Sequence, residues 1–260
     1  MTSTNAVTKL PTRINYKVIA IIASLSVVDI VYNLYFFDGS YFDIKDGIYL
    51  AGIAGCGISS ILVAKKYHGS AMLEKAYLFL GLGFFAWFIA DVGYYYNEFV
   101  LEIDPWPSPF DVGFLANYVF AILHLGLNTK YFKPKWSNLM KAPIIVIPII
   151  AVFIFTITAY DSWGEYDGLV FDIVYSNLFV IGASVMLALV VVGVSVFRTS
   201  VLKSTWLLLL IGILFWVVAD SAYYYLETIG EYTHNSPIKT LWMISFMLII
   251  YALYKHHKVL

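Results

Sequence analysis

Eight apolar runs of membrane-spanning length divide this chain, at about residues 17–37, 47–66, 75–99, 110–130, 142–160, 168–197, 203–228 and 237–256. A helix needs about 20 mostly apolar residues to cross a bilayer. In hydrocarbon every backbone N–H and C=O must be satisfied within the protein, which restricts spanning structures to helices and closed barrels. No alternating pattern of barrel strands occurs, so the expected fold class is all-α, a polytopic membrane protein with eight transmembrane helices. Composition agrees. Of 260 residues, 61 % are hydrophobic and 13 % charged, where a soluble domain carries about 25 % charged residues. Residues 1–16 are polar and lack the apolar core of a signal peptide, so they read as an N-terminal tail. Cys56 is the only cysteine, which excludes an intramolecular disulfide.

The positive charges orient the spans. With eight spans both termini share one side, and on that side fall Lys9, Arg13, Lys17, Lys65, Lys66, Lys75, Lys130, Lys133, Lys135, Lys141, Arg198, Lys203, Lys255 and Lys258. Only Lys45 and Lys239 fall on the other. This asymmetry predicts cytoplasmic termini in a plasma membrane. The opposite loops and span ends carry the acids: Asp38, Asp43, Asp46, Glu98, Glu102, Asp104, Asp111, Asp161, Glu165, Asp167, Glu227 and Glu231. Shedding of Lys and Arg from translocated loops explains most of that excess, and an outer face that attracts cations is the sharper reading.

One stretch is written twice. Gly83, Trp87, Ala90, Asp91, Tyr94, Tyr95, Tyr96 and Glu98 recur as Gly212, Trp216, Ala219, Asp220, Tyr223, Tyr224, Tyr225 and Glu227, at a constant offset of 129 residues. A Ser-Pro pair follows each copy, Ser108-Pro109 and Ser236-Pro237, and reads as N-cap plus first helical residue. Two parallel four-helix repeats are therefore expected, 17–131 and 142–260, related by a pseudo-two-fold axis along the membrane normal. In each copy the Gly, Trp, Asp, two Tyr and Glu fall at spacings of three and four, on one helix face. Both stripes are expected to face the bundle interior, towards each other.

A carboxylic acid at such depth is costly and is by default a functional-site hypothesis. Asp91 and Asp220 lock the bundle by hydrogen bonds, bind a ligand or cation, or form an ion-coupling pair. The candidate ligand-binding set is Asp91, Asp220, Trp87, Trp216, Tyr94, Tyr95, Tyr223, Tyr224, Glu98 and Glu227, with Asp29 of the first span added. The Tyr clusters also suit an interfacial aromatic belt. Asp172 lies near the outer interface, where it is solvated. Asn117 and Asn177 read as interhelical hydrogen bonders, and Ala51, Gly55 and Ser59 as a helix-packing stripe.

No catalytic constellation accompanies these residues. Of His68, His124, His234, His256 and His257, only His124 is expected inside a span, so there is no paired-His haem site and no His-based metal cluster. Spans three, seven and eight lack a central lysine for a retinal Schiff base. No cofactor is indicated, no metal is assigned, and no nucleic-acid signature occurs.

Trp87-x-x-Ala90-Asp91-x-x-Tyr94, followed by Pro105-Trp-Pro107-Ser108-Pro-Phe-Asp111-Val-Gly-Phe-Leu115-x-x-Tyr118, resembles the polytopic membrane sensor regions that precede prokaryotic diguanylate cyclase, phosphodiesterase and histidine kinase domains. The likeness covers residues 83–128 and echoes more weakly at 212–245. It implies a multi-helix module that detects a signal. The chain ends at Leu260, so on this reading the output passes to a partner protein. In the second copy Lys239 falls near the place of the loop acid Asp111, so the halves are not equivalent there.

The leading expectation is a non-enzymatic membrane module, sensor-like or an accessory subunit, embedded in the lipid bilayer and working with a membrane or signalling partner. It would bind a small ligand, cation or partner in an outward-facing cavity lined by Asp, Tyr and Trp. A proton- or cation-coupled transporter or channel built on parallel repeats is the rival. An intramembrane enzyme acting on lipid lacks an acid, base and nucleophile set.

Overall fold

A computed structural model describes residues 14–36, 42–133, 135–160, 169–197, 202–229, 231–233 and 236–259. The expectations for Lys9, Arg13, Asp38, Asp161, Glu165, Asp167, Arg198, most of the N-terminal tail and the Asp172 side chain lie outside the described residues. Among the described residues are eight α-helices: α1 Tyr16–Tyr35, α2 Ile44–Lys66, α3 Ala71–Phe99, α4 Asp111–Phe132, α5 Asn138–Tyr160, α6 Leu169–Phe197, α7 Lys203–Thr228 and α8 Ile238–Val259. All eight are long and apolar enough to cross a membrane.

Local chemistry sets the helix ends. Asp43 caps α2 with a capping box: its side chain accepts from the Lys45 N–H at 3.0 Å, and Asp46 accepts from the Asp43 N–H at 3.0 Å. The Tyr32 hydroxyl also donates to Asp43, at 2.5 Å. These donors hold the Asp43 carboxyl below its ordinary pKa, the Tyr32 bond first among them. Ser108-Pro109 proves to lie ahead of α4, not at its first turn. Asp111 begins the helix, and its carboxylate reaches back to the Ser108 N–H at 2.7 Å. Ser236 keeps the expected role more closely, since its Oγ accepts from the Ile238 N–H at 3.4 Å.

α3 packs between α2 and α4, and α7 between α6 and α8. The two groups join where α2 meets α8 and where α4 meets α6. α1 and α5 are peripheral, and their neighbours differ: α1 lies on α8, whereas α5 lies on α6 and touches α7. Only 6 % of the apolar window of α5 is buried, against 61 % for α7 and α8.

Burial against lipid gives no hydrophobic gain between helices, so close packing must hold them. Small residues provide it. A Cβ on Gly113 would meet the Ala86 carbonyl oxygen at 2.7 Å, which fixes how closely α4 lies on α3. The most buried face of α2 includes Ile53, Cys56, Gly57 and Ser60; of the expected stripe Ala51 is exposed and Ser59 half-buried, while Gly55 does pack against α8, where a Cβ would meet Ile250 Cδ1 at 3.0 Å. Asn177 does bridge helices, donating to Thr156 Oγ1 at 3.2 Å from α6 to α5.

Candidate functional site

The C-terminal turns of α3 and α7 and the N-terminal turns of α2, α4 and α8 converge at the acid-rich end of the bundle. Between them lies a cavity of about 360 Å³. Helical spacing turns one face of α3 into it: Trp87, Asp91, Tyr94, Tyr95 and Glu98. The matching face of α7 contributes Trp216, Asp220, Tyr223, Tyr224 and Glu227. Ten of the residues singled out in the sequence thus share one wall-to-wall space. The third tyrosine of each cluster, Tyr96 and Tyr225, points away and is exposed. Trp106, Tyr118, Tyr232 and Trp242 also line the cavity, and helix-face reasoning on α3 and α7 could not find them.

Aromatic rings close its floor. Trp87 stacks on Trp216 with centroids 5.0 Å apart, Phe84 lies 5.5 Å from Trp216, and Phe246 meets Trp87 edge-on at 5.2 Å. All four are buried. The rim is polar. Asp104, Glu98, Glu227 and Tyr232 surround it, and burial beside Glu227 and Glu98 pushes the Tyr232 hydroxyl pKa up.

The two duplicated acids differ in their bonding. Both oxygens of Asp220 have a partner: Tyr118 donates its hydroxyl to Oδ2 at 2.7 Å, and the Trp242 indole N–H donates to Oδ1 at 2.7 Å. Asp91 has a buried Oδ2 with no hydrogen-bond partner among the described residues. The residues aligned by the repeat on the neighbouring helices differ. At the 128-residue offset that separates Ser108 from Ser236, Tyr118 corresponds to Phe246 and Trp242 to Phe114. Neither phenylalanine carries a donor. Asp220 thus ties α7 to α4 and α8, whereas Asp91 Oδ2 has no such tie among the described residues.

Asp111, Lys239 and Asp29 complete the polar shell. Asp111 accepts from the Tyr94 hydroxyl and from Tyr175 at 3.0 Å. Lys239, in the corresponding place on α8, extends its ammonium to Asp46 at 3.2 Å, where Tyr95 also donates at 3.2 Å. Both lysines of the acid-rich end are buried, Lys239 against Asp46 and Lys45 against Asn33. Asp29 does not reach the cavity. It accepts from Thr240 at 2.6 Å and from the Asn33 amide at 3.3 Å, so it anchors α1 to α8. Its position along span one placed it at a suitable depth, but its helix lies outside the α3–α7 pair.

A second polar group sits at the basic end. α8 extends to Val259, so His256 is buried inside a helix as His124 is, which corrects the expectation that His124 stands alone. Tyr67 bonds His256 Nε2 at 2.6 Å, and the Tyr77 ring lies between the two imidazoles, at 4.9 and 5.1 Å.

Comparison with known proteins finds no family model, no curated protein and no solved structure that matches this chain.

Proposed function

We propose that this chain is a non-enzymatic integral membrane module, sensor-like or an accessory subunit, that binds a small ligand in the cavity between α3 and α7. One observation carries the reading. The residues written twice in the sequence converge on one cavity, and among them Asp91 has an oxygen, Oδ2, without a partner among the described residues. An apolar concave space with a few convergent polar groups is the form a small-molecule site takes, and about 360 Å³ falls within the usual size range.

The acid-rich end is assigned to the outside of a plasma membrane, with both termini cytoplasmic. Fourteen basic residues against two support this orientation. The burial of the two exceptions, Lys45 and Lys239, supports it further, because neither presents its charge to the loops. We also read the halves as parallel repeats. The matching neighbours of α2–α4 and α6–α8 favour this, with α1 and α5 as peripheral additions. The likeness of residues 83–128 to membrane sensor regions favours signal detection.

Gentle purification from native membranes tests the reading. A small molecule retained by the wild type and missing from a folded Asp91→Asn variant supports it. Identical ligand and partner content in the two would sink it. A transporter is the second reading, favoured by the basic-end group, where His124 Nε2, Asn128 Oδ1 and Trp206 Nε1 are buried without partners among the described residues. It requires the aromatic floor to open and predicts Asp91-dependent flux in sealed liposomes.

A further inference from the structure

We infer that the cavity recognises a small organic ammonium ion, a protonated amine with N–H donors on an apolar or aromatic body. This rests on the cavity being a ligand site and adds the chemistry of what enters it. Charge comes first. Six carboxyl side chains line the space, Asp91, Glu98, Asp104, Asp111, Asp220 and Glu227, against one lysine. That lysine already serves Asp46 at 3.2 Å. With both carboxyls ionised, Asp46, Asp91 and Lys239 together would leave one negative charge, which a single monovalent cation neutralises. A cleft lined mostly by one sign of charge concentrates ions of the other.

Hydrogen bonding narrows the cation. Asp91 lines the space, and its Oδ2, turned away from that space, has no donor among the described residues; leaving such a group unmet is costly. An ammonium N–H satisfies the carboxyl once the side chain turns that oxygen towards the space, whereas a quaternary ammonium offers no donor. Among the described residues no three metal-ligating side chains come together, so a divalent metal finds no ligand set here. The walls specify the rest. Tyr94, Tyr95, Trp106, Tyr223 and Tyr224 present rings to the space, and aromatic faces attract cations. The protein already uses that contact, since the Lys239 ammonium lies 5.6 Å from the Tyr95 centroid. The stacked floor of Trp87 and Trp216 favours a flat apolar body.

The test uses the full chain in detergent or nanodiscs, read by tryptophan fluorescence. Four probes of similar shape are titrated: 2-phenylethylammonium, its N-trimethyl derivative, neutral 2-phenylethanol and 3-phenylpropanoate. Saturable quenching by 2-phenylethylammonium is expected, at least tenfold tighter than by the other three. Asp91→Asn should weaken it at least tenfold with an unchanged melting temperature, and Asp91→Glu should largely retain it. Should Asp91→Asn fail to fold, Glu227→Gln at the rim should still lower the affinity severalfold. Equal or tighter binding of the alcohol or the carboxylate, or full ammonium binding by a folded Asp91→Asn, overturns the inference while the cavity remains a ligand site. No saturable binding by any of the four overturns both.

Discussion

Trp87 and Trp216 stack with ring centroids 5.0 Å apart and planes 30° from parallel, although among the described residues no Cα of α3 lies within 8 Å of one of α7. The two duplicated helices therefore meet through aromatic rings, Phe84 and Tyr77 of α3 adding contacts to Trp216 and Trp206 of α7, and the paired indoles are the floor of the cavity. Removing one breaks the seam. Trp216, buried at 1 % exposure, should cost about 3–5 kcal/mol on truncation to alanine. A thermal shift in detergent measures it, and Trp216→Phe should recover much of the loss.

The duplicated acids should separate under the same substitution. Asp220→Asn replaces one acceptor oxygen with an NH₂ group that faces a donor, either Tyr118 or Trp242. That change should destabilise the fold by about 1–3 kcal/mol. Asp91→Asn can place its NH₂ group at the Oδ2 position, which has no hydrogen-bond partner among the described residues, and should leave the melting temperature within a degree or two. Equal destabilisation of the two variants would refute the division of roles.

Lys239 and Asp46 form an ion pair at 3.2 Å with both side chains at or below 5 % exposure. Lys239→Met strands a buried carboxylate and should cost about 3–5 kcal/mol. Adding Asp46→Asn removes that charge and should restore part of the stability. A double-mutant cycle that showed simple additivity would mean the pair is not coupled.

Two helical glycines of α4 make a paired comparison. Gly113→Ala places a Cβ 2.7 Å from the Ala86 carbonyl oxygen and 2.9 Å from Ala90 Cβ. Backbone cannot yield as a side chain does, so α3 and α4 must part, at a cost of about 1–3 kcal/mol. Gly126→Ala meets nothing within 4 Å and should be neutral or slightly stabilising. Unfolding curves of the two variants, recorded side by side, decide the matter.

How far the site could be read from the chain depends on whether one helix suffices. Trp87, Asp91, Tyr94, Tyr95 and Glu98 share a face of α3 by spacing alone, and their α7 counterparts repeat the pattern. Their convergence needed only that polar faces avoid lipid. Tyr118 and Trp242 escaped because their importance comes from which helix they face, and periodicity does not encode helix neighbours. Asp29 misled for the same reason. Its depth was suitable, yet α1 lies on α8 and delivers it to Thr240 instead of the cavity. The helix spans themselves were legible to within about four residues, the largest differences being the earlier starts of α3 at Ala71 and α5 at Asn138; at α2 the Asp43 cap starts the helix at Ile44, ahead of the apolar run at 47.

The inequality of Asp91 and Asp220 was also written in the chain, and it can be reversed there. At the 128-residue offset Phe246 on α8 aligns with Tyr118 on α4, and its ring meets Trp87 edge-on at 5.2 Å, where that of Tyr118 stacks on Trp216 at 6.2 Å. Phe246→Tyr adds one hydroxyl at the residue aligned with Tyr118, which reaches Asp220 at 2.7 Å. That hydroxyl should donate to Asp91, and a buried hydrogen bond of this kind contributes about 1 kcal/mol. The variant should therefore melt higher than wild type and bind 2-phenylethylammonium at least tenfold more weakly, because its Asp91 no longer needs a donor from outside. A more stable protein with undiminished binding would mean that the ammonium is held elsewhere, whereas Phe246→Leu, which adds no donor, should keep whatever binding survives the lost ring.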